Sequence, residues 1–250
     1  TTCYSSFTLL LQILSPNFLQ MHCIIPVVCF LSLAAASPLH LPVALPQAVG
    51  DPSDQCLLLP SALKKFLDTL KISSDLSWKD SAETISFFVN RLATKSIDNF
   101  IAVCNARQSF YNSMGVSYES CLNRLTLFSQ GGTTLTNVLH LEHLFKMLQF
   151  ECSTGFDIFN LNHDCIVAAD ADEIQSACFH QFNATIHANP SSLCGQLGLP
   201  RYLSCIQEPY VRLCAHSESG TGHLVGWFAC ERERVSWGPD CVNTKCDVTA

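Results

Sequence analysis

The chain has 250 residues, among them fifteen cysteines, and 21 acidic residues outweigh 14 basic ones to give a formal net charge of −7. The basic residues form no cluster, which argues against nucleic acid and anionic membranes as partners, because both recruit clustered Lys and Arg. A chain of this length can bury a sizeable core without covalent help, so the abundant cysteines need an explanation of their own.

Residues 21–36, MHCIIPVVCFLSLAAA, have the pattern of a secretory signal peptide. An apolar run over residues 23–33 precedes three alanines, so we predict cleavage after Ala36. The apolar run is shorter than the ~20 residues that a membrane span requires, and a membrane anchor or a buried N-terminal helix is the alternative. If Met21 is the first residue of the protein, residues 1–20 are upstream, non-native sequence.

Residues 37–55 are predicted to form an extended, proline-rich linker. Their first part, SPLHLPVALPQAVG, carries no charge and contains three prolines, which lack the N–H group that a helix interior requires. Residues 56–250 are the predicted cysteine-rich helical domain, and we expect no membrane span in the mature chain.

An even set of twelve cysteines is left when Cys3, Cys23 and Cys29 are removed with the leader. An even set in a secreted chain predicts disulfides, although roughly ten thousand full pairings are open. Zinc is the alternative, but it favours thiolates about two to four residues apart, and the sequence has no C-x-x-C pair. We therefore expect neither a metal site nor a reactive thiol. The predicted disulfide cysteines are Cys56, Cys104, Cys121, Cys152, Cys165, Cys178, Cys194, Cys205, Cys214, Cys230, Cys241 and Cys246.

Apolar residues at helical spacing predict five helices between residues 57 and 152. Ser61, Asp80 and Ser117 are the predicted N-caps of the first, second and fourth of these helices. Gly115 is expected to end the third, and a Gly-Gly pair at 131–132 the fourth. In the fifth, one stripe of apolar residues ends on Cys152, which directs that thiol toward the core.

Segments 156–168, 171–185, 201–214 and 224–234 are predicted to be shorter helices, and Pro209 is expected to kink or break the third of these four. The segment ANPSS at 188–192 is a candidate internal boundary, with six of the twelve cysteines on each side. No strand alternation interrupts the pattern. The predicted fold is all-α, a disulfide-stabilised bundle of about eight to ten short helices.

Few residues suggest chemistry. His140 and His143 share a helical spacing that could bring two imidazoles to one metal ion, but a polar helix face explains the pair more simply. His163 beside Asp164 could assist a nucleophile, yet no partner residue is evident. Without a serine-nucleophile, phosphate-binding or dinucleotide motif, we expect no enzymatic activity and no cofactor.

Two modification signals are more specific. Asn183 begins the sequon Asn-Ala-Thr, which secretion would make available for N-glycosylation. Ser219 lies in ESGTG, an acidic-flanked Ser-Gly site of the kind on which a glycosaminoglycan chain begins; a flexible turn is the simpler interpretation.

The cysteine order resembles a known family. The stretch LCGQLGLPRYLSCIQEPYVRLC, followed by the polar AHSESGTGH, is similar to the secreted cysteine-rich helical domains of nematode type that include chondroitin proteoglycan 4 and its relatives. The resemblance covers about residues 104–230. It implies an extracellular, non-catalytic protein of matrix type, although the long Ser-Gly tracts of the family's proteoglycans are missing here.

These observations predict a secreted, non-enzymatic, disulfide-rich protein that acts in extracellular binding or as a matrix component. Its expected partner is an extracellular protein, glycan or lipid. The alternative is a small secreted lipid-binding or lipid-hydrolysing helical protein, since apolar helix faces can enclose an acyl chain.

Overall fold

The computed structural model describes residues 56–215 and 222–246. This part of the chain is built from nine α-helices and contains no strand, which confirms the predicted all-α, disulfide-stabilised bundle. The helices are α1 Leu59–Thr69, α2 Trp78–Ala93, α3 Ile97–Met114, α4 Arg124–Ser129, α5 Leu135–Glu151, α6 Phe156–Asp170, α7 Glu173–Ala188, α8 Leu199–Leu213 and α9 Gly222–Trp237.

The helix starts follow from side-chain capping, but often at other residues than expected. Ser77 and Asn123 cap α2 and α4 by accepting a hydrogen bond from a backbone N–H two residues later, so Asp80 and Ser117 are not the caps. Ser61 lies inside α1, where its hydroxyl donates to the carbonyl of Leu58. Our three predicted N-caps were therefore wrong, while the helices themselves are present.

Two helices differ from their expected extent. The predicted fourth helix is divided into a single turn, Tyr118–Cys121, and α4, and it ends before Gly131 and Gly132, which both have positive φ. Helix α8 does not break at Pro209 but continues to Leu213. Pro209 is buried there, so packing supports the helix where the proline removes one backbone hydrogen bond.

A large apolar core fills the space between α1, α2, α3, α5 and α6 and reaches α9. Phenylalanine rings dominate it: the centroids of Phe110 and Phe145 lie 4.3 Å apart and those of Phe100 and Phe159 lie 4.0 Å apart, both pairs stacked. A smaller core joins α7 to α8 and α9, where Phe182 stacks on Tyr202.

All twelve predicted cysteines are paired. The six disulfides are Cys56–Cys121, Cys104–Cys152, Cys165–Cys214, Cys178–Cys205, Cys194–Cys241 and Cys230–Cys246. They form two groups, within residues 56–152 and 165–246, and two of them connect the segments on either side of 188–192.

Several predictions concern residues outside the described ranges. These are the upstream sequence, signal peptide and linker over residues 1–55, the cysteines Cys3, Cys23 and Cys29, and the Ser-Gly site at Ser219. Within the described ranges, no helix combines the length and the apolar character that crossing a bilayer requires.

Candidate functional site

A cavity of about 390 Å³ has apolar walls and several charged side chains. Helices α2, α5, α6 and α9 supply its lining. The lining residues are Phe87, Asn90, Arg91, Ala93, Thr94, Met147, Glu151, Phe159, Asp170, Arg232 and Glu233.

The guanidinium of Arg232 organises the charged part of this cavity. Its Nη2 atom lies 2.7 Å from Oδ1 of Asp170 and donates to the Tyr210 hydroxyl at 2.6 Å, while that hydroxyl donates to Asp170. The guanidinium also lies over the rings of Tyr210 and Phe228, at 5.7 and 5.9 Å from their centroids. Burial works to lower the pKa of Arg232, but the charge of Asp170 opposes it, and the net effect raises that pKa well above its usual value.

Nε of Arg232 is buried without a hydrogen-bond partner, and Glu151 is the carboxyl group of the cavity that no hydrogen-bond donor of the described residues reaches. Its side chain is 6% exposed, and its nearest charged atom is Nη1 of Arg232 at 3.8 Å, which is beyond hydrogen-bond distance. Burial raises the pKa of Glu151 to about 7, with Arg232 acting in the opposite direction. Burial also raises the pKa of Glu233, against the charge of Arg232. Glu151 is therefore about half ionised at pH 7.

A second buried charge cluster lies beside the predicted His140–His143 pair. Glu142 is 1% exposed and accepts hydrogen bonds from Nε of Arg124 at 2.7 Å and from Nζ of Lys146 at 2.9 Å. Arg124 also binds Asp240 at 2.6 Å, so the cluster connects α4, α5 and the C-terminal segment. Each of its side chains is paired with another, although Nη2 of Arg124 is buried without a hydrogen-bond partner, and these pairs indicate a role in holding the fold.

His143 is partly buried against Trp237 rather than presented to an ion. Its ring lies edge-on to Trp237 at 4.9 Å, and its Nε2 atom is buried without a hydrogen-bond partner. Burial lowers the pKa of His143 to about 4. The carbonyl of His140, its predicted companion, accepts a hydrogen bond from Ser86. Among the residues that the structure describes, no three His, Cys, Asp or Glu side chains are grouped to hold a metal ion.

His163 and Asp164 do form a pair, with Nδ1 and Oδ1 at 3.0 Å. The imidazole is 9% exposed, and its Nε2 atom is buried without a hydrogen-bond partner, while Asp164 is fully exposed. A general base must reach the proton that it removes, and here the ring nitrogen that would do so is covered. This geometry does not favour hydrolysis at His163.

Asn183 lies on α7, where its side chain is partly exposed. The hydroxyl of Thr185, the third residue of the sequon, donates to the carbonyl of Gln181 at 2.9 Å. Both residues belong to regular helix rather than to a turn.

The sequence analysis missed the residues of the Arg232 cavity. Arg232 and Glu233 occur in the run ERERV, which resembles a solvated helix face, and Glu151 follows an apolar stripe as an ordinary helix end. The one available signal is position, because Arg232 lies two residues after the buried Cys230 on a helix that enters the core. No protein-family model, curated protein or solved structure matches the chain.

Proposed function

We propose that the chain is a secreted, non-enzymatic protein that acts by binding in the extracellular space, with the Arg232 cavity as its ligand site. Three observations support the extracellular setting: the six disulfides, the signal-peptide pattern and the resemblance to secreted cysteine-rich helical domains. The observation that carries the binding role is a set of buried charges that opens into a cavity instead of being closed over by the core.

The lining of the cavity favours binding over catalysis. It contains no Ser, Cys or His that could act as a nucleophile, and the hydroxyl of Thr94 donates to the carbonyl of Asn90. Asp170 is engaged by Arg232 and Tyr210, so it is not free to act as a base. Groups held in this way are suited to recognising a ligand whose charge pattern complements theirs.

An acyl chain is a poor match for the same molecule. Stacked phenylalanine rings fill the main core where a lipid carrier would hold its ligand. The Arg232 cavity would bring an acyl chain against Glu151, whose burial is already costly. The matrix role rests on the family resemblance alone.

Expression of the chain from Met21 in a secretory eukaryotic cell tests the extracellular setting. We expect the protein in the medium, beginning at Ser37, with a mass that rises by twelve hydrogens on reduction. A version without residues 21–36 is the matched control and should stay in the cell. Free thiols in the secreted protein, or retention of the version that starts at Met21, would contradict the proposal. Glycosidase treatment of the protein and of its Asn183→Gln variant shows in the same experiment whether Asn183 carries a glycan.

Calorimetric titration of the secreted protein with a panel of small organic cations, anions and neutral molecules tests the cavity. We expect at least one class to bind, and Asn90→Trp to abolish the binding, because Asn90 is an exposed residue of the lining and an indole there would occupy the space. Asn112→Trp, an exposed residue of α3 outside the lining, is the matched control. A panel with no binder, or binding that Asn90→Trp leaves unchanged, would overturn the assignment of the site.

A further inference from the structure

One carboxyl group of the cavity, that of Glu151, has no hydrogen-bond donor among the described residues. Asp170 takes the strongest contacts of Arg232, and Nη2 of Arg232 is shared between Asp170 and the Tyr210 hydroxyl. Glu151 is left with an ion pair at 3.8 Å, and no hydrogen-bond donor of the described residues reaches its carboxyl group. Burying 94% of a carboxyl side chain without a hydrogen-bond donor destabilises the folded protein, unless a ligand supplies the donor.

The charge balance favours a cation over an anion as that ligand. Three carboxyl groups, those of Glu151, Asp170 and Glu233, line the cavity with the guanidinium of Arg232. Arg91 also lines it but is an exposed residue, so its charge remains hydrated. The carboxyl group of Glu233 is hydrogen-bonded to Tyr202, and that of Asp170 to Arg232 and Tyr210. An anion would have to compete with Asp170 for Arg232, whereas a cation would meet the carboxyl group of Glu151, which no donor of the described residues reaches.

The walls of the cavity indicate the size and polarity of the uncharged part of the ligand. Phe87, Met147 and Phe159 contribute apolar surface, and a volume of about 390 Å³ is at the small end of the range for ligand sites. Aromatic faces beside a carboxyl group also suit an ammonium ion through cation–π attraction.

We propose that this cavity binds a small organic cation, a primary ammonium group on an apolar body of aromatic size. The ammonium N–H groups donate to Glu151 and Glu233, and the apolar body packs against Phe159 and Met147. The inference rests on the proposed function, since it names the ligand class of the same site.

Calorimetric titration of the secreted, six-disulfide protein with 2-phenylethylammonium tests the inference. Phenylacetate and 2-phenylethanol are the matched anionic and neutral probes. We expect the cation to bind about tenfold more tightly than either, because a charge-assisted hydrogen bond to a buried carboxylate is stronger than a neutral one. Preference for the anion, or equal affinity for the alcohol, would overturn the inference.

Glu151→Gln should weaken binding of 2-phenylethylammonium by about tenfold, because it removes the acceptor charge and keeps the shape. Glu83→Gln is the matched control. Glu83 is an exposed residue of α2 that does not line the cavity, so this variant should bind as the unaltered protein does. Glu233→Gln provides the same test if Glu151→Gln does not fold. Unchanged affinity in the cavity variants would overturn the inference.

The probe panel separates the two proposals. If an anion or a neutral molecule binds and Asn90→Trp abolishes it, the cavity is a ligand site and only the inferred ligand class fails. If no probe of any class binds, the site assignment and the ligand class fail together.

Discussion

At the residue scale, helix α5 contains two titratable side chains, the buried Glu151 and the partly buried His143, that affect stability in opposite directions. Glu151 has a pKa raised to about 7 by burial, and His143 has a pKa lowered to about 4 by burial. Both resist becoming charged in the folded protein. Their pH ranges overlap, so their effects partly cancel in the unaltered chain, and substitution of either residue should expose the other.

Glu151 should make the protein less stable as pH rises toward neutrality. The unfolded chain releases this proton near pH 4.5, but the folded chain keeps it to about pH 7, so the stabilisation is complete below pH 4.5 and is lost by pH 7. We expect Glu151→Gln to remove a decline of up to about 3 kcal/mol in the free energy of unfolding between pH 5 and 8. Urea unfolding at a series of pH values measures this decline in the free energy of unfolding. With Glu83→Gln the decline should remain, and its persistence in Glu151→Gln would contradict the assignment.

His143 should act in the opposite direction on the acid side. The unfolded chain takes up a proton near pH 6.5, but the folded chain resists protonation until about pH 4, so stability is lost as pH falls through this range. We expect His143→Phe, which keeps a ring against Trp237, to reduce that loss by up to about 3 kcal/mol. Urea unfolding between pH 4 and 7 measures the effect. His187→Phe, on an exposed histidine of α7, should not reproduce it.

The identities of the bridging cysteines were predictable residue by residue, but the members of the cavity were not. Parity and the leader pattern identify the twelve cysteines from sequence alone. Glu151, Asp170 and Arg232 are far apart along the chain, and helix packing brings them together. Periodicity assigns a residue to a helix face, but it does not show which faces of different helices meet.

At the element scale, the contact of α8 with α9 depends on two glycines of α9. A Cβ atom on Gly226 would lie 2.7 Å from Cγ2 of Val211, and one on Gly222 would lie 2.5 Å from the backbone oxygen of Val211. Helices α8 and α9 therefore pack with almost no side chain between them at this point. The two positions differ in what blocks them, because one meets a side chain and the other meets the backbone.

Gly226→Ala should destabilise the protein even though alanine is the better helix former. Overpacking typically costs ~1–3 kcal/mol, which exceeds the ~0.5–1 kcal/mol gained in helix propensity. Val211→Ala should rescue Gly226→Ala, because it removes the methyl group that clashes, but it should not rescue Gly222→Ala. Denaturant unfolding of the single and double variants measures the coupling. If the Gly226→Ala protein were as stable as the original, the predicted clash with Val211 would be wrong.

Helix existence was predicted better than helix boundaries. Apolar spacing identified each of the nine helices, since burial on one face imposes the period. Capping depends on local backbone geometry, and Ser77 has the extended conformation of an N-cap, whereas Ser117 is already helical. Both are serines near a predicted helix start, so composition alone does not separate them.

At the scale of the whole molecule, the six disulfides differ in how much chain they constrain. Cys56–Cys121 closes a separation of 65 residues, and Cys230–Cys246 closes one of 16. The chain-entropy model makes the longer loop the more stabilising by about 1 kcal/mol. We expect the double replacement of Cys56 and Cys121 by Ala to lower the free energy of unfolding by more than that of Cys230 and Cys246. Denaturant unfolding measures both, and the reverse order would contradict the model.

The disulfide pairing was beyond reach of the sequence. An equal division of the cysteines at 188–192 suggests two halves with three bridges each, but two bridges cross that segment. The pairing follows helix contacts that the linear pattern does not contain: Cys178–Cys205 joins α7 to α8, and Cys165–Cys214 joins α6 to the end of α8.

The grouping of the disulfides has a consequence for cleavage of the chain. Among the described cysteines, no bridge spans residues 153–164, whereas every other position between residues 57 and 245 lies inside at least one disulfide loop. A single proteolytic nick beside the exposed Thr154 should therefore give two fragments that separate on a non-reducing denaturing gel. A nick in 188–192 should leave one covalently joined product until a reductant is added. Once the short connection between α5 and α6 has been cut, packing alone holds the two parts of the folded protein together.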